Sequence, residues 1–224
     1  MTLAKVRQQD VAPGGLVRQG NDPRALAQIE DPGVALAIWR RRPLTSFQNW
    51  IDTLPADQLP VLRVVTAVAQ VESLVRAACD IAGTPSCMER ERLIGDVAAL
   101  AEAFLSIMRT PYLRVRLERV TDDACKKFHR DYVTARLICT YRGVGTQYGD
   151  PGEGQAPQSV QSVPTAAPAI FRGNLWPCSG GVGIVHRSPP ILGTGETRLL
   201  LVMDPIDDPA SYPEEPVSIQ ARRH

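Results

Sequence analysis

The chain predicts a mixed α+β fold, with helices first and an antiparallel sheet after them. Three observations carry that expectation. Apolar residues recur at helical spacing between residues 61 and 108. Beyond Pro111 the period falls to two, in Leu113-Arg-Val-Arg-Leu-Glu-Arg-Val120, which alternates apolar and charged residues as a half-buried strand does. From there to residue 203, short apolar runs are separated by turns containing Gly and Pro, the pattern of short paired strands.

Taken in order, residues 1–33 are rich in Gly, Pro, Gln and Asp and are expected as a loosely ordered arm, with one helical turn at Pro23–Ile29. Val34–Trp39 is a short apolar run closed by Arg40, Arg41, Arg42 and Pro43, which reads as a strand followed by a solvated basic stretch. Thr45 and Gln48 match a capping box for a short helix through Leu54. Val61 to Ala82 reads as one helix, ended by Gly83-Thr84-Pro85. Ser86 and Glu89 match a second capping box, and Leu93, Ile94, Val97, Leu100, Phe104, Leu105 and Met108 form one helical stripe. Residues 34–111 are therefore expected to be mainly helical. Residues 112–204 hold the strands, expected at 113–120, 128–131, 135–141, 169–171, 182–186 and 198–203. Together, 34–204 make a single domain. Gly143–Gly149 reads as a tight turn, residues 149–168 as a flexible loop or lid, and 205–224 as a surface tail.

Composition excludes several classes of function. With 25 Lys and Arg against 24 Asp and Glu, the net charge of +1 gives no field for nucleic acid. Aromatics at 5% leave no base-stacking platform. No run approaches the ~18 apolar residues that span a bilayer, so no membrane partner is expected. Residues 1–10 lack the apolar centre of a signal peptide, and the five cysteines include no Cys-x-x-Cys pair. A cytoplasmic protein with free thiols follows, with Cys125 and Cys139 as small buried hydrophobes.

The chain has only three histidines, and one is the last residue. His129 and Asp131 stand two apart, so on an extended segment both side chains leave one face. His186 lies on a later strand and would complete a face of two imidazoles and one carboxylate. That donor set holds a divalent metal on one side and leaves the other side open to co-substrate and oxygen. The plain alternatives are a His–carboxylate hydrogen bond at a sheet edge for the pair, and a turn histidine on a backbone carbonyl for His186. Arg198 opens the apolar strand Leu199–Met203, where burial is costly unless the guanidinium meets an anion. That anion is either a ligand carboxylate or a structural partner such as Asp204, Glu196 or the tail. Tyr141 and Arg136, on the strand after the His-x-Asp pair, are secondary candidates for cofactor contact, with core or ion-pair roles as the alternative.

His129-x-Asp131, the distal His186 and the following Arg198 resemble the iron(II)/2-oxoglutarate-dependent dioxygenase superfamily. The resemblance implies a double-stranded β-helix (jelly roll) over residues 112–204, packed against the helices. It also implies Fe(II) on His129, Asp131 and His186, with the far carboxylate of 2-oxoglutarate on Arg198. The longer phrases Phe128–Gly143 and His186–Pro190 resemble a bacterial domain family of unknown function, whose members often sit near zinc-responsive genes. Two functions are then expected in turn: an oxygenase hydroxylating a small-molecule or protein substrate, or a non-catalytic metal-binding jelly roll in zinc homeostasis. A structural protein whose His and Asp residues are merely core is the third.

Overall fold

A computed structural model describes residues 15–151, 157–177 and 183–211. Ten strands form two sheets: β1 (Val17–Gly20), β2 (Leu36–Trp39), β3 (Leu62–Ala67), β4 (Tyr112–Val120), β5 (Ala135–Arg142), β6 (Gln147–Gly149), β7 (Gln161–Ser162), β8 (Ala169–Arg172), β9 (Val185–Arg187) and β10 (Arg198–Ile206). The large sheet runs β1-β2-β8-β5-β10-β4-β3 and is antiparallel except for the parallel β1–β2 pair. The small sheet runs β7-β6-β9. Three α-helices, α1 (Thr45–Thr53), α2 (Val71–Ala82) and α3 (Met88–Met108), complete the mixed α+β architecture.

Side-chain alternation along the large sheet sorts its residues into two clusters. Leu137, Cys139 and Tyr141 of β5, with Leu199, Leu201 and Met203 of β10, pack against Val75, Leu93, Val97 and Phe104 of the helices. The intervening Ile138, Leu200 and Val202 point the other way, onto Tyr148, Val163 and Ile184 around the small sheet. The molecule is thus layered as helices, large sheet, small sheet, with the central strands β5 and β10 burying both faces. The α3 stripe expected from periodicity is the inner face of that helix, and Gly83 ends α2 in the left-handed conformation with φ 67°.

Four expectations are corrected. Residues 61–67 are not helical: β3 occupies them and pairs with β4 at the sheet edge, burying Leu62, Val64 and Thr66 alternately. Val64, Val65 and Thr66 are β-branched, which favours the pleated edge over the helix, and α2 starts only after a 3₁₀ turn at Val68–Gln70. The arm is packed where it is described. β1 adds to the sheet, and the 3₁₀ helix Pro23–Glu30, started by Asp22 accepting from the Arg24 amide, buries Leu26 and Ile29. Residues 1–14 lie outside the described residues. Neither capping box forms, since Leu44 and Cys87 are the N-caps and make no side-chain cap bond. Gln48 donates instead to Asp52 and to the Tyr141 carbonyl.

The loop and tail are also shorter than expected. Gln147–Gly149 and Gln161–Ser162 are paired strands, and Val163, Ala166 and Ala167 are buried. β10 continues through Pro205 and Ile206, paired with Leu113 and Tyr112 of β4. Residues 152–156, 178–182 and 212–224 lie outside the described residues.

Candidate metal centre

The connection from β4 to β5 carries His129 and Asp131, but it is not a strand. It is tied residue by residue to the segment around β9. The His129 amide donates to the His186 carbonyl at 3.0 Å and the His186 amide returns the bond at 2.9 Å, an isolated antiparallel bridge. Two residues further, the Ser188 amide donates to the Cys125 carbonyl, and Asp123 Oδ1 accepts from the amides of both Ile191 and Leu192. Those donors hold the Asp123 carboxyl below its usual range. The bridge places the two imidazoles side by side, with centroids 4.8 Å apart, and His186 also packs on Phe171 at 4.6 Å.

Asp131 is positioned from the other side. Its carbonyl accepts from the Asn174 amide, and Gly173 lies so close that a Cβ there would stand 1.9 Å from the Val133 carbonyl oxygen. Only glycine fits that approach of β8's end to the ligand loop. The carboxylate then meets both histidines, with Oδ1 3.5 Å from His129 Nε2 and Oδ2 3.0 Å from His186 Nε2. One ligand atom from each residue falls within 4.8 Å of the others. Side-chain exposure decreases inward, 35% for His129, 10% for Asp131 and 6% for His186.

These donors fit a divalent metal. His129 Nδ1 donates to the Lys127 carbonyl at 2.9 Å, which leaves the Nε2 lone pair facing Asp131. Asp131 Oδ2 is buried and makes no aligned hydrogen bond among the described residues, although His186 Nε2 stands 3.0 Å from it. Buried polar atoms are ordinarily paired, and an ion held between these two would satisfy both. Cis ligands about 2.1 Å from one metal lie about 3 Å apart, which is the observed spacing of the carboxylate from the imidazoles.

Charge in the site is strongly coupled. Burial alone would raise the Asp131 pKa, but His129, His186 and the Arg136 guanidinium hold it far below the carboxylate range. His129 is raised, chiefly by its bond to Asp131, and His186 is lowered, chiefly by burial. Behind Asp131 the charges continue: Arg136 binds Asp131 Oδ1 and is gripped in turn by Asp204, at 2.6 and 2.9 Å. Arg116 reaches Asp204 at 3.4 Å and Glu118 at 3.3 Å.

The remaining sequence candidates divide. Arg136 lies on the site face of β5, but its guanidinium is engaged by Asp131 and Asp204 rather than offered to a co-substrate. Tyr141 is on the opposite face, where its hydroxyl donates to Asp96 Oδ2 at 2.6 Å, so it does not reach the site. Arg198 is fully buried on the site face. Neither Asp204 nor Glu196 pairs with it: Asp204 is held by Arg136 and Arg116, and Glu196 accepts from the Val144 amide. Its partners are the Val144 carbonyl at 2.7 Å, Ser188 Oγ at 3.2 Å and Thr140 Oγ1 at 3.5 Å, all uncharged. Burial draws the Arg198 pKa down to about 10 against the opposing charge of Glu196. Cys125, expected buried, is exposed with φ 59°, while Cys139 is buried. The sequence reading missed Asp204 as the anchor of Arg136, and Phe171 and Gly173 as the residues that seat the ligands. Only the pairing of β5 with its neighbours β10 and β8 reveals them.

The fold class becomes clear by comparison. The 2-oxoglutarate binary complex of dioxygenase for auxin oxidation 1 from Arabidopsis thaliana is similar, with a TM-score of 0.50 at 10% identity, over 89% of this chain and 97% of that one. The rice dioxygenase for auxin oxidation gives 0.48 at 13% identity, over 85% and 82%. A Pseudomonas putida prolyl-4-hydroxylase gives 0.42 at 8%, over 81% and 96%. At 10% identity the Arabidopsis likeness is one of fold alone. In sequence, residues 20–204 match the family described as Protein of unknown function (DUF1826), and the chain belongs to that family. No curated protein matches the chain.

Proposed function

We propose that this protein is an Fe(II)- and 2-oxoglutarate-dependent oxygenase that hydroxylates an organic substrate, a small molecule or a protein side chain. The observation that carries the reading is the convergence of one ligand atom each from His129, Asp131 and His186 within 4.8 Å of one another. The two facing sheets serve as the jelly roll. His129 Nε2, one oxygen of Asp131 and a ring nitrogen of His186 would hold the iron on one face. Fe(II) with 2-oxoglutarate supplies oxygen-dependent oxidation coupled to decarboxylation of the co-substrate to succinate. The protein's own part is positioning and charge. Arg198 is buried among neutral acceptors and has no anionic hydrogen-bond partner among the described residues, so a carboxylate is the partner that would offset its desolvation. Arg136, gripped by Asp204, keeps Asp131 ionised and turned toward the histidines.

The donor set also suits Zn(II), and a metal-handling protein of zinc homeostasis is the second reading. The two diverge at Arg198, which only the oxygenase needs as a carboxylate anchor. Anaerobic titration of the purified chain with Fe(II) and then 2-oxoglutarate tests this. The oxygenase predicts a visible charge-transfer band and, on admitting oxygen, succinate, both lost in Arg198→Ala. Stoichiometric metal with neither band nor succinate selects the second reading. No stoichiometric metal sinks both.

A further inference from the structure

On the helix-covered face of the large sheet, away from the metal ligands, a cavity of about 590 Å³ opens between the Arg41–Leu44 link, α1 and α3. That volume lies within the range of about 300–1,000 Å³ typical of small-molecule sites. Tyr141, the residue that does not reach the metal centre, forms part of its floor. From α3 come Arg92, Gly95, Asp96 and Ala99, spaced three and four apart and therefore on one helix face. Two of those four are small. A Cβ added at Gly95 would meet nothing within 4 Å, so no side chain among the described residues fills the space. Pro43, Phe47 and Leu44 make the facing wall, and Leu44 is 58% exposed at its rim.

The charges are unevenly matched. Asp96 is neutralised by Arg41, at 2.5 and 2.6 Å, and also accepts from Tyr141. Arg41 in turn donates to the Ala166 carbonyl, at a residue whose φ is 62°. Arg42 and Arg92, which line the same cavity, have no acidic partner among the described residues; Arg92 meets only Met88 Sδ. Since the whole chain carries a net charge of only +1, two unmatched guanidinium groups over an apolar wall are a local feature, not part of a general field.

We infer that this cavity binds an amphiphilic organic anion, with its apolar body on Leu44, Phe47 and Ala99 and its carboxylate between Arg42 and Arg92. The apolar wall disfavours a small hydrated inorganic anion, and the paired guanidinium groups disfavour a neutral ligand. The site is separate from the metal centre and does not depend on the oxygenase reading.

Octanoate is the probe, titrated calorimetrically into the full chain. Saturable one-to-one binding is expected, weakened about tenfold or more in Arg42→Glu and in Arg92→Glu. Octanol, with the same body and no charge, should bind at least about tenfold more weakly. Gly95→Leu should block binding while leaving metal uptake intact, and the double variant His129→Ala/His186→Ala should bind octanoate as the parent does. The inference is overturned if no saturable binding is seen, if octanol matches octanoate, or if both rim variants bind like the parent. Loss of binding in the histidine double variant would also overturn it, by placing the anion at the metal centre.

Discussion

Strand β5 shows two chemistries back to back. Its helix-side residues Leu137, Cys139 and Tyr141 sit in a continuous apolar core, at whose edge the Arg41–Asp96–Tyr141 cluster lines the cavity. Its other side carries Arg136, Ile138 and Thr140, which lead from the metal ligands through Arg136 and Asp204 toward Arg116. The first face is held together by burial and tolerates few volume changes. The second joins a smaller apolar cluster around Ile138, Leu200 and Val202 to a row of alternating charges, each satisfied only while its neighbour is present. The larger core and the metal chemistry thereby lie on opposite sides of one sheet, along the eight residues of β5.

That division can be broken in order of effect. Truncating the metal face should cost function outright: His186→Ala is expected to lower Fe(II) or Zn(II) affinity more than about 100-fold, since it removes one of three ligands, with far-ultraviolet dichroism unchanged. Truncating the helix face should do the reverse. Phe104→Ala should lose about 3–5 kcal/mol in urea unfolding while the folded fraction binds metal as before. If Phe104→Ala changed metal affinity, the two faces would not be independent.

Asp204→Asn lies between the two. It leaves Arg136 and Arg116 with less neutralisation, and an uncompensated buried charge costs about 3–5 kcal/mol when a partner is removed outright. The amide keeps some hydrogen bonding, so about 1–3 kcal/mol is expected, with metal affinity falling about tenfold as Arg136 is released from its place behind Asp131. The smallest effect concerns thiols on the helix face. Burial pushes Cys139 up to about 12 and Cys79 up to about 11, from an ordinary 9.0. A raised folded-state value means this contribution is whole below pH 9 and is lost as pH rises toward 11–12, because the unfolded thiols ionise first. Native protein at pH 8 should therefore alkylate at exposed Cys125 and spare Cys79 and Cys139, read by mass spectrometry.

The metal ligands were legible because scarcity and spacing agreed: few histidines, and an His-x-Asp pair whose side chains share a face. β4 and α3 were legible for a similar reason, each having one dominant period. Strand β3 was not, since Val61–Ala67 runs without a break signal into the apolar stripe of α2, and length alone favoured a helix. The orientation of Tyr141 was hidden because Leu137, Ile138 and Cys139 are apolar on both faces, leaving no parity to read. Arg198 was recognised as a costly burial, but its partners, Val144, Ser188 and Thr140, are local acceptors that no charge pattern announces. The packing of β1 was missed because a parallel edge pairing depends on β2 being in place, not on anything within Val17–Gly20.

The position of β10 has a consequence for how the protein is made. It lies between β4 and β5, strands that are not paired with each other, and among the described residues it is the strand of this sheet that comes latest in the chain. Until residue 206 has left the ribosome, the nascent chain carries two separate half-sheets with exposed edges, a state open to chaperones and to misassociation. Asp204, the grip on Arg136, arrives with that same strand. The metal centre therefore matures only in the step that closes the sheet, and a chain stopped short of β10 would have ligands but no finished site.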